Sequence, residues 1–240
     1  MARKGNMVDI EIKSTFLQET MLVKMYKPES FDPIYETNIC YMQDGDDYFQ
    51  MGRIATLSDQ LHDSYDIVNT YFVGIHYKDR KDRLKKYHPE GEQHGAYVKF
   101  LLEEVLSTVE DLIPLNPLGI KRALIGDSLA GTFALTTSLT YPDLFHKAIL
   151  QSPLVDDVVM EIVTGSSNKS LEIYHSIGLQ ENSVATTELG DLDFVVPNQQ
   201  LQGILMDRFP QYTYQEIPKG NHTWKYWQNE MEEVLVHMFS

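Results

Sequence analysis

The chain predicts an α/β fold in a single domain spanning residues 1–240: a mostly parallel central sheet with helices on both faces, entered through antiparallel strands. Three observations lead there. Short apolar runs alternate with helix-period segments over most of the sequence. The opening stretch alternates apolar and polar residues and then turns. No internal repeat, low-complexity tract or Gly/Ser linker divides the chain. At 240 residues about 70–75% of the unfolded surface can be buried, and 42% hydrophobic with 23% charged residues is the composition of an ordinary globular protein.

The elements read in order. Val8 to Ile12 and Leu22 to Tyr26 are antiparallel strands, closed by the turn Lys27-Pro28-Glu29-Ser30. Ile39 to Met42 is the first buried strand, and Ile54, Leu57 and Leu61 recur after it at helical spacing. Tyr71 to Ile75 is the next strand. A polar loop follows, then a long helix carrying Val98, Leu101, Leu102, Val105, Val109 and Leu112 and stopped by Pro114. Ala123-Leu124-Ile125 leads into Gly126, after which Leu129 to Leu139 reads as a helix. Ala148 to Leu150 and Ile173 to Ile177 are further strands, Leu201, Ile204 and Leu205 mark a helix, and Tyr212 to Ile217 is the last strand. Trp227, Met231, Val234, Leu235 and Met238 stripe a closing helix.

Composition removes several classes of function. A formal net charge of −15 repels phosphate backbones and anionic headgroups, so nucleic acid is not an expected partner. No apolar run approaches the ~18 residues of a membrane span, and the N-terminal residues lack the apolar stretch of a secretory signal. A cytoplasmic protein is expected. The one cysteine, Cys40, forms no internal disulfide and no multi-cysteine metal site, and reads as a buried thiol in a strand.

The chemistry concentrates at Gly126-Asp127-Ser128-Leu129-Ala130-Gly131, between a strand and a helix. A nucleophile at the apex of such a turn takes strained dihedrals, and bulky side chains two residues to either side would collide. Gly126 and Ala130 meet that demand, and the Leu129 N–H is aimed where an oxyanion would form. His222, between the last strand and last helix, has the address of the base; His175 and His237 lie within a strand and a helix. Two residues compete to orient it. Glu181, at the end of the strand Ile173 to Ile177, is preferred because the sheet positions strand ends; Asp193 follows the excursion Asn182 to Leu192 and is the alternative. After Met42, the loop Gln43-Asp44-Gly45-Asp46-Asp47 supplies a second oxyanion donor, for which the Asp46 N–H is the candidate, provided the carboxylates of Asp46 and Asp47 point away.

These residues resemble an esterase family of the α/β-hydrolases, one that includes ferric enterobactin esterases and, more distantly, feruloyl and short-chain acyl esterases. The resemblance runs from about Val8 onward. It is carried by Met42-Gln43-Asp44-Gly45, Gly74-Ile75-His76-Tyr77-Lys78-Asp79-Arg80 with Arg83 and Tyr87-His88-Pro89, the Ser128 turn, Leu150-Gln151-Ser152-Pro153, and Asn221-His222-Thr223-Trp224 with Tyr226-Trp227. Three features depart from the family pattern: Ala130 in place of the second elbow glycine, Lys219-Gly220-Asn221 before the histidine, and the Asn182 to Leu192 excursion. The resemblance implies an α/β-hydrolase fold and ester cleavage through an acyl-serine, with no cofactor.

Substrate recognition is less legible. Arg80, Lys81, Arg83, Lys85 and Lys86 form a basic run after a strand, where sheet topology puts ligands, so Arg80 and Arg83 are candidates for an anionic substrate group, as the resemblance to siderophore esterases implies. Tyr48, Phe49, Trp224 and Trp227 are candidates for the walls of an acyl or aryl pocket. His88 and His94 flank Glu90 and Glu92 without metal-ligand spacing, and no metal is expected there. Thioester and amide cleavage use the same machinery and stay open, as does oligomeric state. From another class, the alternative is a catalytically silent hydrolase fold that serves as a binding protein.

Overall fold

The computed structural model describes residues 3–114, 116, 118–186 and 189–240. Alternation builds the N-terminal hairpin: β1 (Asn6–Ser14) pairs antiparallel with β2 (Glu19–Lys27), turning Ile10, Ile12, Met21, Val23 and Met25 inward. Both strands outrun their apolar centres because polar residues on the outer face continue the ladder. Buried runs then give β3 (Thr37–Gln43), β4 (Thr70–Ile75), β5 (Ile120–Asp127), β6 (Lys147–Gln151) and β7 (Glu172–Gly178). A short antiparallel ribbon, β8 (Val184–Ala185) with β9 (Asp191–Leu192), precedes β10 (Tyr212–Ile217). The eight-stranded sheet runs β1-β2-β4-β3-β5-β6-β7-β10, parallel from β4 onward, with β2 antiparallel to β4.

Helices cover both faces, as a parallel sheet requires. Side chains along β3 split by parity: Ile39 and Tyr41 enter one core, Cys40 and Met42 the other. On the second face pack α1 (Gly45–Gln50), α2 (Ile54–Asp63) and α9 (Trp224–Phe239). On the first lie α3 (Arg80–Tyr87), α4 (His94–Lys99), α5 (Leu106–Glu110), α6 (Leu129–Thr140), α7 (Asp157–Gly165) and α8 (Val195–Arg208). The stripe from Val98 to Val109 is one helical run in which Phe100–Val105 forms a π-helical segment between α4 and α5; Leu112, expected on the same face, is past the helix end and exposed. Among the described residues no helix is long and apolar enough to cross a membrane.

Two segments read as loops are helical. The polar stretch after β4 contains α3, started by the Asp79 carboxylate, which accepts from the N–H groups of Lys81 and Asp82 at 2.9 Å. Its charged sequence carries no apolar stripe, so periodicity is silent there. The turn after β3 runs directly into α1 through Asp44, held in the left-handed region at φ 59°. Gly45 is obligatory at this bend, since a Cβ would sit 2.2 Å from the Gly74 Cα of the neighbouring strand.

The chain crosses from β3 to the second face and from β5 to the first. Between these diverging loops, at the carboxyl ends of adjacent parallel strands, lies the crevice where such sheets place ligands.

Candidate active site

Ser128 alone connects β5 to α6, and it does so at φ 52°, ψ −124°. A non-glycine residue held there costs about 1–3 kcal/mol and persists only when its surroundings enforce it. They do. The Ser128 N–H donates to the Gln151 carbonyl at 2.8 Å, and the Ser128 carbonyl accepts from Thr132 and Leu154 N–H, both at 3.2 Å. Gly126 is the small residue the turn demands, because a Cβ there would lie 2.2 Å from the carbonyl carbon of Ala130. On the other side Ala130 fits, fully buried. Leu129 opens a twelve-residue helix, so its amide sits at the positive end of the helix dipole.

His222 stands between β10 and α9. Its Nδ1–H donates to Glu181 Oε2 at 2.7 Å, and a carboxylate partner there leaves Nε2 as the basic nitrogen. The ring is fixed by Phe194 at 4.5 Å and by the edge of Trp227 at 5.0 Å between centroids. Glu181, just past β7 and 1% exposed, uses its other oxygen as well: Oε1 accepts from the Gly178 N–H at 2.9 Å and from the Ser152 hydroxyl at 2.7 Å. Ser152 in turn accepts from Trp227 Nε1 at 3.1 Å. Close approach of two glycines joins the loops of acid and base, for a Cβ on Gly220 would lie 2.8 Å from the Gly178 Cα. Asp193 is elsewhere. It is exposed and caps α8, accepting from Val195 and Val196 N–H at 2.7 and 3.2 Å. The excursion before it does return to Glu181, whose carbonyl accepts from the Phe194 N–H at 2.9 Å; residues 187 and 188 of that excursion lie outside the described residues.

Ser128, Leu129 and His222 line one cavity of about 290 Å³. Trp224, Trp227 and Phe194 give it aromatic walls, and the β8–β9 ribbon contributes Val184 and Leu189. Tyr48 and Phe49 do not reach it. Tyr48 is fully buried, donates its hydroxyl to Gln151 Oε1 at 3.0 Å and packs behind Trp224 at 4.8 Å. Both follow the helical turn of α1 into the core, which a loop reading of that segment could not anticipate. The Asp46 carboxylate is turned outward, meeting Lys24 at 2.8 Å and His76 at 3.1 Å. The neighbours Asp44 and Asp47 are the cavity residues of this turn.

The basic run dissolves in three dimensions. Lys86 is buried between Glu19 at 2.5 Å and Asp82 at 2.9 Å, and Lys85 pairs with Glu92. Arg83 is not a free cation for substrate. Its Nε and Nη2 grip Asp44 Oδ2 at 2.7 and 2.6 Å, and Nη2 donates to the Asp127 carbonyl at 3.0 Å. Burial works against the charge on Arg83, and Asp44 and Asp127 more than offset it, so its pKa is raised. Arg80 alone of the run stays exposed at the cavity rim. His88 pairs with Asp156 at 2.8 Å, and His94 bonds the Lys86 carbonyl at 3.1 Å. His175 is buried, its pKa pushed down to about 4 by burial.

The carboxyl groups beside the serine titrate abnormally. Burial, then the charge of Asp44, pushes Asp127 up to about 8. Asp47 is raised by partial burial and by Asp44. Sequence reasoning passed over Ser152, Asp127 and the partner of Arg83. The first had a signal in Gln151-Ser152-Pro153 at a strand end; the others depend on which loops the fold makes adjacent.

A family model described as "Putative esterase" matches residues 14–238. An uncharacterized protein of Bacillus subtilis strain 168, YjcH, is 38% identical over 237 residues, 98% of either chain. Among solved structures, the BES protein from Bacillus cereus superposes with a TM-score of 0.78 at 19% identity, covering 98% of this chain and 95% of its own. The enterobactin esterase FES from Shigella flexneri, solved with 2,3-di-hydroxy-N-benzoyl-glycine, gives 0.81 at 18% identity over 98% of this chain; the present chain spans 60% of its length.

Proposed function

The chain belongs to this esterase family and is a carboxylic ester hydrolase with an α/β-hydrolase fold, and from that premise we propose that it works through an acyl-serine intermediate formed on Ser128. The observation that carries the reading is the 2.7 Å bond from His222 Nδ1–H to Glu181, made by a histidine that shares its cavity with the strained Ser128.

Glu181 holds His222 in the tautomer whose Nε2 can accept a proton, and its charge stabilises the imidazolium. Nε2 takes the Ser128 hydroxyl proton as Oγ attacks the ester carbonyl. The Leu129 N–H and the dipole of α6 meet the oxyanion. A second donor comes from the start of α1. There the amides of Asp47 and Tyr48 are spent on the Asp44 carbonyl at 2.9 and 3.4 Å, which favours the Asp46 N–H, and the Asp46 carboxylate points away from the developing charge. The imidazolium then protonates the departing alkoxide. Water, deprotonated by the same Nε2, releases the acid and restores the serine.

A cavity of about 290 Å³ with indole and phenyl walls suits one short acyl chain or one aryl ring. A larger polyester could engage one ester group at a time with the rest outside, near Arg80. In rapid-mixing experiments p-nitrophenyl acetate should give a burst of one p-nitrophenol per chain, and acid-quenched protein should carry one acetyl group. Hydrolysis without burst or adduct would speak for direct attack by water and against the acyl-serine.

A further inference from the structure

We propose that Arg83 is the positioning residue of the oxyanion site, clamping the turn at Asp44 against the Ser128 elbow so that N–H donors from two separate loops converge on one oxygen. The inference rests on the serine-hydrolase reading above.

The two donor segments have no covalent reason to stay in register. One follows β3 and crosses to one face of the sheet; the other follows β5 and crosses to the opposite face. Arg83 comes from a third element, α3, and its guanidinium touches both, through Asp44 Oδ2 and the Asp127 carbonyl. Asp44 is 2% exposed and stands immediately before α1; Asp127 immediately precedes the nucleophile. A planar fork with several fixed donors is the side chain that can make two such bonds at once, which an ammonium on a flexible stem cannot reproduce.

The carboxyl groups complete the device. Nη2 of Arg83 lies within 4 Å of Oδ2 of both Asp44, at 2.6 Å, and Asp127, at 3.9 Å. Among the described residues, Oδ1 of each is buried without a hydrogen-bond partner. Burial, then the charge of Asp44, favours the protonated form of Asp127, which limits the negative charge facing the single guanidinium. A displacement of about 1 Å in one donor segment is enough to cost about 10²-fold in rate.

The test is Arg83→Ala and Asp44→Asn, singly and together, with kcat and KM for p-nitrophenyl acetate and thermal melts of each variant. Arg83→Ala should lower kcat about 100-fold while KM stays within about threefold, since a transition-state contact is lost and ground-state binding is not. Because Arg83 borders the cavity, guanidinium chloride at tens of millimolar should restore at least about tenfold, and urea, its neutral isostere, should not. The double variant should be no worse than either single one, as expected of residues acting as one unit. If Arg83→Ala melts below the assay temperature, Arg83→Lys decides, with reduced kcat and unchanged KM expected. Raised KM at constant kcat would make Arg83 a substrate-binding cation and overturn the clamp; so would unchanged kinetics. Absence of ester turnover in the unmodified protein would instead fail the underlying serine-hydrolase reading.

Discussion

Ser128→Ala is expected to lower kcat for p-nitrophenyl acetate by about 10⁴- to 10⁶-fold, with circular dichroism and chromatographic behaviour unchanged. The side chain is partly exposed and takes no part in the hydrogen bonds that fix the turn, which run through the Ser128 backbone. Removing the hydroxyl therefore deletes the nucleophile and little else. The strain at φ 52° adds a second readout. Ser128→Gly also lacks the hydroxyl but adopts positive φ without steric cost, so it should be as inactive as Ser128→Ala and melt at a higher temperature. A protein that keeps its turnover in both variants does not use this serine.

Glu181→Gln should reduce kcat by about 10⁴-fold through a change of tautomer. Oε1 is committed as an acceptor to the Gly178 N–H and the Ser152 hydroxyl, so the glutamine must keep its oxygen there and turn its amide toward His222. That amide donates to Nδ1. The ring proton then moves to Nε2, where it blocks transfer from Ser128. Asp193→Asn, by contrast, weakens only the N-terminal cap of α8 and should leave kcat near that of the unmodified protein. Steady-state kinetics on the two variants separate the candidates: a large loss at position 193 with a small one at 181 would reverse the assignment.

What was legible in the sequence follows the range of each interaction. Strand parity along Ile39 to Met42 and the stripe of the closing helix are local, and the fold places those side chains in the cores as periodicity demands. The small residue two before Ser128 is local too, since the collision it avoids involves Ala130, four positions away. The choice between Glu181 and Asp193 was not local. It turns on where an eleven-residue excursion brings Phe194 back, and on the contact of Gly178 with Gly220 across 42 positions. The basic run misled for a related reason. All five of its charges lie along α3, and the pitch of that helix sends Lys86 inward to Glu19 and Arg83 to Asp44, leaving Arg80 at the rim. The run carries no apolar stripe, so nothing in its pattern disclosed the helix. Tyr48 was displaced from its expected place in the pocket wall by the same kind of unread turn at α1.

The most direct measurement is labelling of the folded protein with a fluorophosphonate, followed by peptide mapping of the adduct. A single adduct on Ser128, lost after prior unfolding and lost in His222→Ala, is the expected result. Folded protein that hydrolyses esters yet takes no label, or carries its label on another residue, would contradict the serine mechanism.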